Sequence, residues 1–208
     1  MNNITYGNLR GSVLILNGAP MTGKDEIANF LASESYLVEH LSFKDKLFEV
    51  AACLANMDYF DLKQLNERET KDVYCEALGM SPRAWLIYVS EVVVKPHLGK
   101  DFFGKALAKT ISKETKDGKL KWFSVVSDGG FIEEIEAVAK EVGGSNIIVA
   151  RLHREGYTFT TDSRKHLSKE QLELLGVKSF DYYNTAFSVD DMVRDFKDKL
   201  FDFFKKNC

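Results

Sequence analysis

Gly18-Ala19-Pro20-Met21-Thr22-Gly23-Lys24-Asp25 has the residue types and spacing to hold a polyphosphate. Two glycines separated by four residues let the backbone curl so that successive N–H groups face one anion. A helix opening near Lys24 adds the positive end of its dipole. Lys24 can reach terminal phosphates as a mobile point charge. A string this short arises by chance in roughly one shuffled chain in ten, so its weight comes from its setting. It follows the apolar run Ser12 to Asn17 and precedes a helical pattern from Lys24 to about Ser33. The competing reading is a glycine-rich turn between strand and helix. Asp25 stands where a serine or threonine commonly holds Mg²⁺. A carboxylate is also a hard oxygen ligand, and its charge suits a helix N-terminus.

Phosphate clamping prefers arginine, whose planar fork binds oxygens bidentately. The chain has seven: Arg10, Arg68, Arg83, Arg151, Arg154, Arg164 and Arg194. Arg83 follows Ser81-Pro82, an N-cap and first-turn pair, so it should sit where helix N–H groups are unpaired and an anion would be welcome. Arg151, Arg154 and Arg164 surround a polar stretch. Asp128 ends the apolar run Trp122 to Ser127 and can orient a metal-bound water or a substrate. Its competing reading is an N-cap for a helix from Phe131. His153 reads as a solvent-facing histidine, and His40, His97 and His166 show no metal spacing. Phe43, Tyr88 and Phe103 could stack on a base but read first as core.

These groups need a scaffold. The chain has 208 residues, a hydrophobic fraction of 45% and a net charge of 28 − 31 = −3. That suits one domain and argues against general phosphate-backbone binding, which needs a basic surface. No run approaches the roughly 20 apolar residues of a spanning helix, and Met1 to Arg10 lacks a signal-peptide pattern. Cys53, Cys75 and Cys208 show no CxxC spacing and read as reduced thiols.

Strands are expected at Ser12–Asn17, Tyr36–Phe43, Lys121–Ser127, Asn146–Leu152 and Tyr182–Phe187. Helices are expected at Lys44 to about Asn56 and from Pro82 to about Val94, where Pro96 and Gly99 break the chain. Others run from Asp101 to about Ser112, from Phe131 to Val142, from Ser168 to Leu175, and from Ser188 with the face Met192, Phe196, Leu200 and Phe203. Lys116-Asp117-Gly118 reads as a turn. Alternation of strands and helices gives an α/β fold with a mostly parallel sheet, whose ligands sit beyond the carboxyl ends of the strands.

With Gly18 to Asp25 in view, the chain resembles the bacteriophage deoxynucleoside monophosphate kinases of the P-loop kinase group, which share the G-x-x-x-x-G-K-D loop. Weaker matches are Arg68-Glu69-Thr70, Ser81-Pro82-Arg83, Ser127-Asp128 followed by Glu133 and Glu134, Arg151 at a strand end, and Asn184 in a final strand. Gly129-Gly130 departs from the family, which commonly has an arginine within two residues of the aspartate. The segment Lys95 to Lys105 matches no motif. The resemblance implies a P-loop nucleoside-monophosphate-kinase-like three-layer sandwich with a five-stranded sheet. It implies one domain, with a helical acceptor-binding insert at about 57–115 and a lid at about 154–168. It also implies ATP and Mg²⁺ as cofactors and transfer of the terminal phosphoryl group to a (deoxy)nucleoside monophosphate.

On that reading the loop from Gly18 to Lys24 holds the donor phosphates and Asp25 the metal. Arg68 and Arg83, with Asp128, hold the acceptor. Lys24, Arg151, Arg154 and Asp128 serve the transfer, with Arg164 a further candidate for the lid. The implied partners are small-molecule nucleotides, with a homodimer open, and neither a nucleic-acid polymer nor a membrane. The implied location is cytoplasmic, that of a host if phage-encoded. Two alternatives stay open: a kinase for another small acceptor such as dephospho-coenzyme A, and a non-catalytic nucleotide-binding regulator, which the missing arginine after Asp128 would favour.

Overall fold

Six consecutive positions of β1 (Val13–Gly18) are buried, as a strand sandwiched between two helical layers requires. The computed structural model describes residues 4–116, 122–160 and 164–207. The elements after β1 are α1 (Lys24–Glu34), β2 (Val38–Leu41), α2 (Phe43–Leu54), α3 (Tyr59–Leu65), α4 (Pro82–Tyr88), α5 (Lys95–Leu98) and α6 (Phe102–Lys116). Then come β3 (Phe123–Gly129), α7 (Ile132–Val142), β4 (Ile147–His153), α8 (Lys169–Leu174), β5 (Lys178–Tyr183) and α9 (Val189–Asn207). The sheet order is β2-β3-β1-β4-β5. Every pairing is parallel, so the sheet is wholly rather than mostly parallel.

The pleat sorts β1 into two cores. Val13 and Ile15 face a cluster built with Phe43, Leu47, Leu86, Leu107, Ile135 and Leu172, from α2, α4, α6, α7 and α8. Leu14 and Leu16 face Ile27, Leu31, Met192, Phe196 and Leu200, from α1 and α9. Each such side chain contributes about 1.5–3 kcal/mol on burial. The phenylalanines of α9 belong to this second core: Phe204 is buried, and Phe203 packs on Phe180 at 4.9 Å between centroids. β1 is therefore pinned at the centre of the sheet, and its carboxyl end carries the glycine loop.

Four boundaries differ from the sequence reading. The second strand stops at Leu41, because Ser42 caps α2 by accepting from the Lys44 N–H at 3.0 Å. Pro96 does not end its helix. A π-helical stretch, Val89–Val94, widens the turn, and α5 carries Pro96 in its first turn, where a missing N–H costs little. Gly99, at φ 98°, is the terminator. Helix α6 continues to Lys116. The last strand lies at Lys178–Tyr183, paired with Ile148–His153, rather than at Tyr182–Phe187. The chain turns after it because the Asn184 side chain accepts from the Ala186 N–H at 3.2 Å. The turn at Asp117-Gly118 lies outside the described residues. Among the described residues no helix is long and apolar enough to cross a membrane, and Cys53 and Cys75 are free thiols.

Candidate functional site

The loop after β1 is held from inside and from behind. The Thr22 hydroxyl donates to the Ala19 carbonyl at 2.9 Å. The Lys24 ammonium donates to the carbonyls of Gly18 at 2.8 Å and Ala19 at 2.7 Å, and the residue is only 8% exposed. A Cβ at Gly18 would meet the Thr22 hydroxyl at 2.7 Å and the Leu152 carbonyl at 2.9 Å. Gly23 takes φ 97°, and a Cβ there would meet the Met192 methyl at 2.7 Å. Packing thus requires the glycine at position 18, and conformation requires the one at position 23. Met21 also has a left-handed φ of 67°, which costs a non-glycine residue about 1–2 kcal/mol. From behind, the buried Asn184 amide donates to the Thr22 carbonyl at 3.4 Å.

Helix α1 opens at Gly23 with no side chain capping it. Its first-turn amides have no intrahelical acceptor, so they and the dipole present a ready anion site. Asp25 is exposed in that first turn.

Arginines from distant segments meet the loop at Met21. Arg154 donates to the Met21 carbonyl at 3.1 Å and lies 4.7 Å from the Tyr157 ring. The Arg68 guanidinium contacts the Met21 sulfur.

Arg83 and Arg151 make other contacts. Arg83 forms an ion pair with Asp72 at 3.0 Å, and its N–H donates to the Lys71 carbonyl at 2.9 Å. The anion and acceptor that its position called for are therefore supplied by the segment before α4. Arg151 donates to Asp181 at 2.7 Å and to the Leu167 carbonyl at 3.1 Å. Asp181 also takes Lys169 and His153, each at 2.8 Å. Burial alone would raise the Asp181 carboxyl, but hydrogen bonds from Arg151, Lys169 and His153 outweigh it and hold the group well below the usual carboxylate range.

His153 is not a solvent-facing histidine. It is held by Asp181 and stacked between Tyr183, at 4.7 Å, and His166, at 4.4 Å. Burial pushes His166 below the ordinary histidine range; His153, Arg151 and Lys24 add to this and Asp181 opposes it. Phe43 and Phe103 are buried core, and Tyr88 stacks on Trp85 at 5.9 Å.

Asp128 caps a helix, though a different one from the helix it precedes. The β1/β3 register slips between Ile15 and Asn17, so β3 bulges at its end. The carboxylate then accepts from the Phe43 N–H at 2.9 Å, the Ser42 hydroxyl at 2.8 Å and the Lys44 N–H at 3.1 Å, all at the start of α2. Phe131, which precedes α7, has no side-chain cap.

One site residue escaped the sequence reading, and a second was read there only as part of a motif. Asn17 is wholly buried. Its amide donates to the carbonyls of Gly129 at 3.1 Å and Lys165 at 3.0 Å, and its oxygen accepts from the Leu167 N–H at 2.9 Å. One side chain thus ties the glycine-loop strand to both neighbouring segments. A polar residue closing an all-apolar strand was the available signal. The other is Glu134, 5% exposed in the first turn of α7. Burial, with the nearby Asp128 charge, pushes its carboxyl up to about 8, against the pull of Lys95 and Arg164. Its only signal was an acidic helix start.

No family model matches the chain. No curated protein matches it. Among solved structures it is similar to the crystal structure of a "putative kinase" from Chloroflexus aurantiacus J-10-fl, at 16% identity and a TM-score of 0.45, over 91% of this chain and 95% of that one.

Proposed function

We propose that the chain is a phosphotransferase that moves the terminal phosphoryl group of ATP to a (deoxy)nucleoside monophosphate. One observation carries the reading. An uncapped helix opens directly from the Gly18–Lys24 loop at the end of the central strand, and Arg68 and Arg154 reach that loop from opposite ends of the chain. Phosphoryl transfer asks the protein mainly to position groups in line and to neutralise charge. The α1 amides and Lys24 suit the donor phosphates. Arg68 suits the acceptor phosphate. Arg154, at the start of the 154–168 lid, suits charge developing between them, and a closed lid excludes water.

The residues present fit Mg²⁺ in a limited way. Asp25 offers an exposed hard oxygen one residue past Lys24. Mg²⁺ commonly takes one or two carboxylates plus phosphate oxygens and water. Among the described residues no group of three His, Cys, Asp or Glu could hold a metal alone. When bound, the ion would supply charge neutralisation of the phosphates. Asp128, with its carboxylate on α2, serves as an anchor for the strand end rather than as a group that meets substrate.

Arg83, paired with Asp72, leaves Arg68 as the acceptor clamp both in this reading and in the second one, a kinase for another small acceptor such as dephospho-coenzyme A. One experiment separates the readings: ADP release with the eight common ribo- and deoxynucleoside monophosphates, alongside dephospho-coenzyme A. Turnover with at least one monophosphate supports the proposal. Turnover with dephospho-coenzyme A alone selects the second reading. ATP binding without acceptor-dependent turnover returns the chain to a regulator.

A further inference from the structure

His166 carries a ring nitrogen with nothing to bond. Its Nδ1 is buried and has no hydrogen-bond partner, although the residue as a whole is only half-buried. In the same cluster Arg151 Nε is buried without an acceptor. Asp181, the carboxylate that faces them, is already taken by Arg151, His153 and Lys169. Donors exceed acceptors here, and buried polar groups left unpaired in a folded protein ask for a reason.

The ring is placed independently of its nitrogens. The Asn17 side chain accepts from the Leu167 N–H at 2.9 Å and donates to the Lys165 carbonyl at 3.0 Å. The His166 backbone therefore hangs between two bonds to the residue that precedes Gly18. The ring lies on His153 at 4.4 Å between centroids and meets the edge of Phe159 at 4.9 Å. His153 follows Leu152, which pairs with Gly18 in the sheet. The stack thus stands beside the glycine loop, near enough for the Lys24 charge to act on the His166 ring. A phenylalanine would fill that stack without stranding a nitrogen, so packing alone does not account for an imidazole.

The orphaned nitrogen decides the tautomer. A proton on Nδ1 would be a buried donor without an acceptor, so the neutral ring carries its proton on Nε2. Nε2 has no partner among the described residues and remains open to solvent. Burial and the charges of His153, Arg151 and Lys24, against Asp181, keep the ring neutral at neutral pH. His166 thus holds a single N–H ready at the mouth of the loop.

We propose, on the reading that the glycine loop holds a nucleoside triphosphate, that the His166 Nε2–H donates to one of its phosphate oxygens. A charged acceptor suits this donor, because bonds to phosphate are stronger than bonds to the water they replace. The stack on His153 and Phe159 then serves to aim the ring.

The test measures binding of ATP, and of inorganic tripolyphosphate, which has neither base nor sugar, by calorimetry at neutral pH. Wild type, His166→Phe and His166→Gln are compared, each shown to be folded by its unfolding transition. Phenylalanine keeps a ring for the stack and removes the donor. Glutamine gives up the ring and sets an amide N–H close to the position of Nε2. The phenylalanine variant should bind both ligands about tenfold more weakly or worse, with a Tm no lower than that of the wild type. The glutamine variant should stay within about threefold of the wild type for both ligands. A phenylalanine variant with wild-type affinity overturns the inference while the triphosphate reading stands, and so does a glutamine variant that binds as weakly as the phenylalanine one. If the wild type binds neither ATP nor tripolyphosphate, both fall together.

Discussion

Removing the Asp128 carboxylate should unfold the domain measurably earlier, because this side chain holds α2 to the sheet. The residue is 8% exposed and accepts three hydrogen bonds. Bonds to a charged partner are worth about 1.5–3 kcal/mol each, but they do not add in full. Lys44 keeps a second acceptor, the Ser42 hydroxyl at 3.0 Å, and the Ser42 hydroxyl can turn to water. The Phe43 N–H is buried and loses its acceptor outright. Asp128→Ala should therefore cost about 3–4 kcal/mol, and Asp128→Asn, which keeps one oxygen, about 1–2 kcal/mol. For a domain of this size each kcal/mol lowers Tm by about 2–4 °C, so the alanine variant should melt roughly 6–16 °C early. Urea unfolding of wild type and both variants, at one pH, gives the free energies directly. An alanine variant with the wild-type midpoint and slope would refute the anchoring role. An asparagine variant that folds normally yet loses turnover would restore Asp128 to the chemistry.

Lys24→Ala should lower turnover at least tenfold, up to the roughly 3–4 kcal/mol seen for other charge clamps, and its lost bonds to the Gly18 and Ala19 carbonyls should lower the urea midpoint as well; near-normal kcat in the folded variant would remove Lys24 from the mechanism. Glu134→Gln should change the pH dependence of stability. The folded carboxyl titrates at about 8 against 4.5 in the ordinary case, so between those values the folded state holds a proton that the unfolded chain has shed. Wild-type stability then falls by about 1.4 kcal/mol per pH unit from this group and levels above 8, whereas the glutamine variant lacks that slope. Urea midpoints at pH 5, 6.5 and 8 read it, and parallel lines for the two proteins would contradict it. Asp181→Asn should cost about 2–4 kcal/mol in a thermal melt, because it leaves the largely buried Arg151 without its counter-charge; an unchanged Tm would show that Leu167 and water suffice.

What the chain determined by itself is local. The apolar run of β1, the glycine loop, and the caps at Ser81, Ser168 and Ser188 rest on interactions spanning a few residues. The structure realises them: each serine hydroxyl accepts from an amide three residues on. Alternation of strand and helix was sufficient for the α/β class, since parallel strands need crossovers.

Side-chain partners were decided by tertiary structure, because residue type shows what a group can bond and not what the fold places beside it. Asp128 could equally serve a metal-bound water or a cap, and the choice fell to Phe43, 85 residues away in the chain. Arg151 was free to aim at a phosphate until β5 brought Asp181 alongside in register. Arg154 reaches Met21 across 133 residues. Pro96 breaks a helix by local rules, yet the preceding π-helical turn absorbs it. The half-exposed edge strand β5 shows too weak an alternation to be placed without its partner β4. Glu134 reads as a solvated helix-start carboxylate until α6 closes over it, and that burial, with the nearby Asp128 charge, pushes its carboxyl up to about 8.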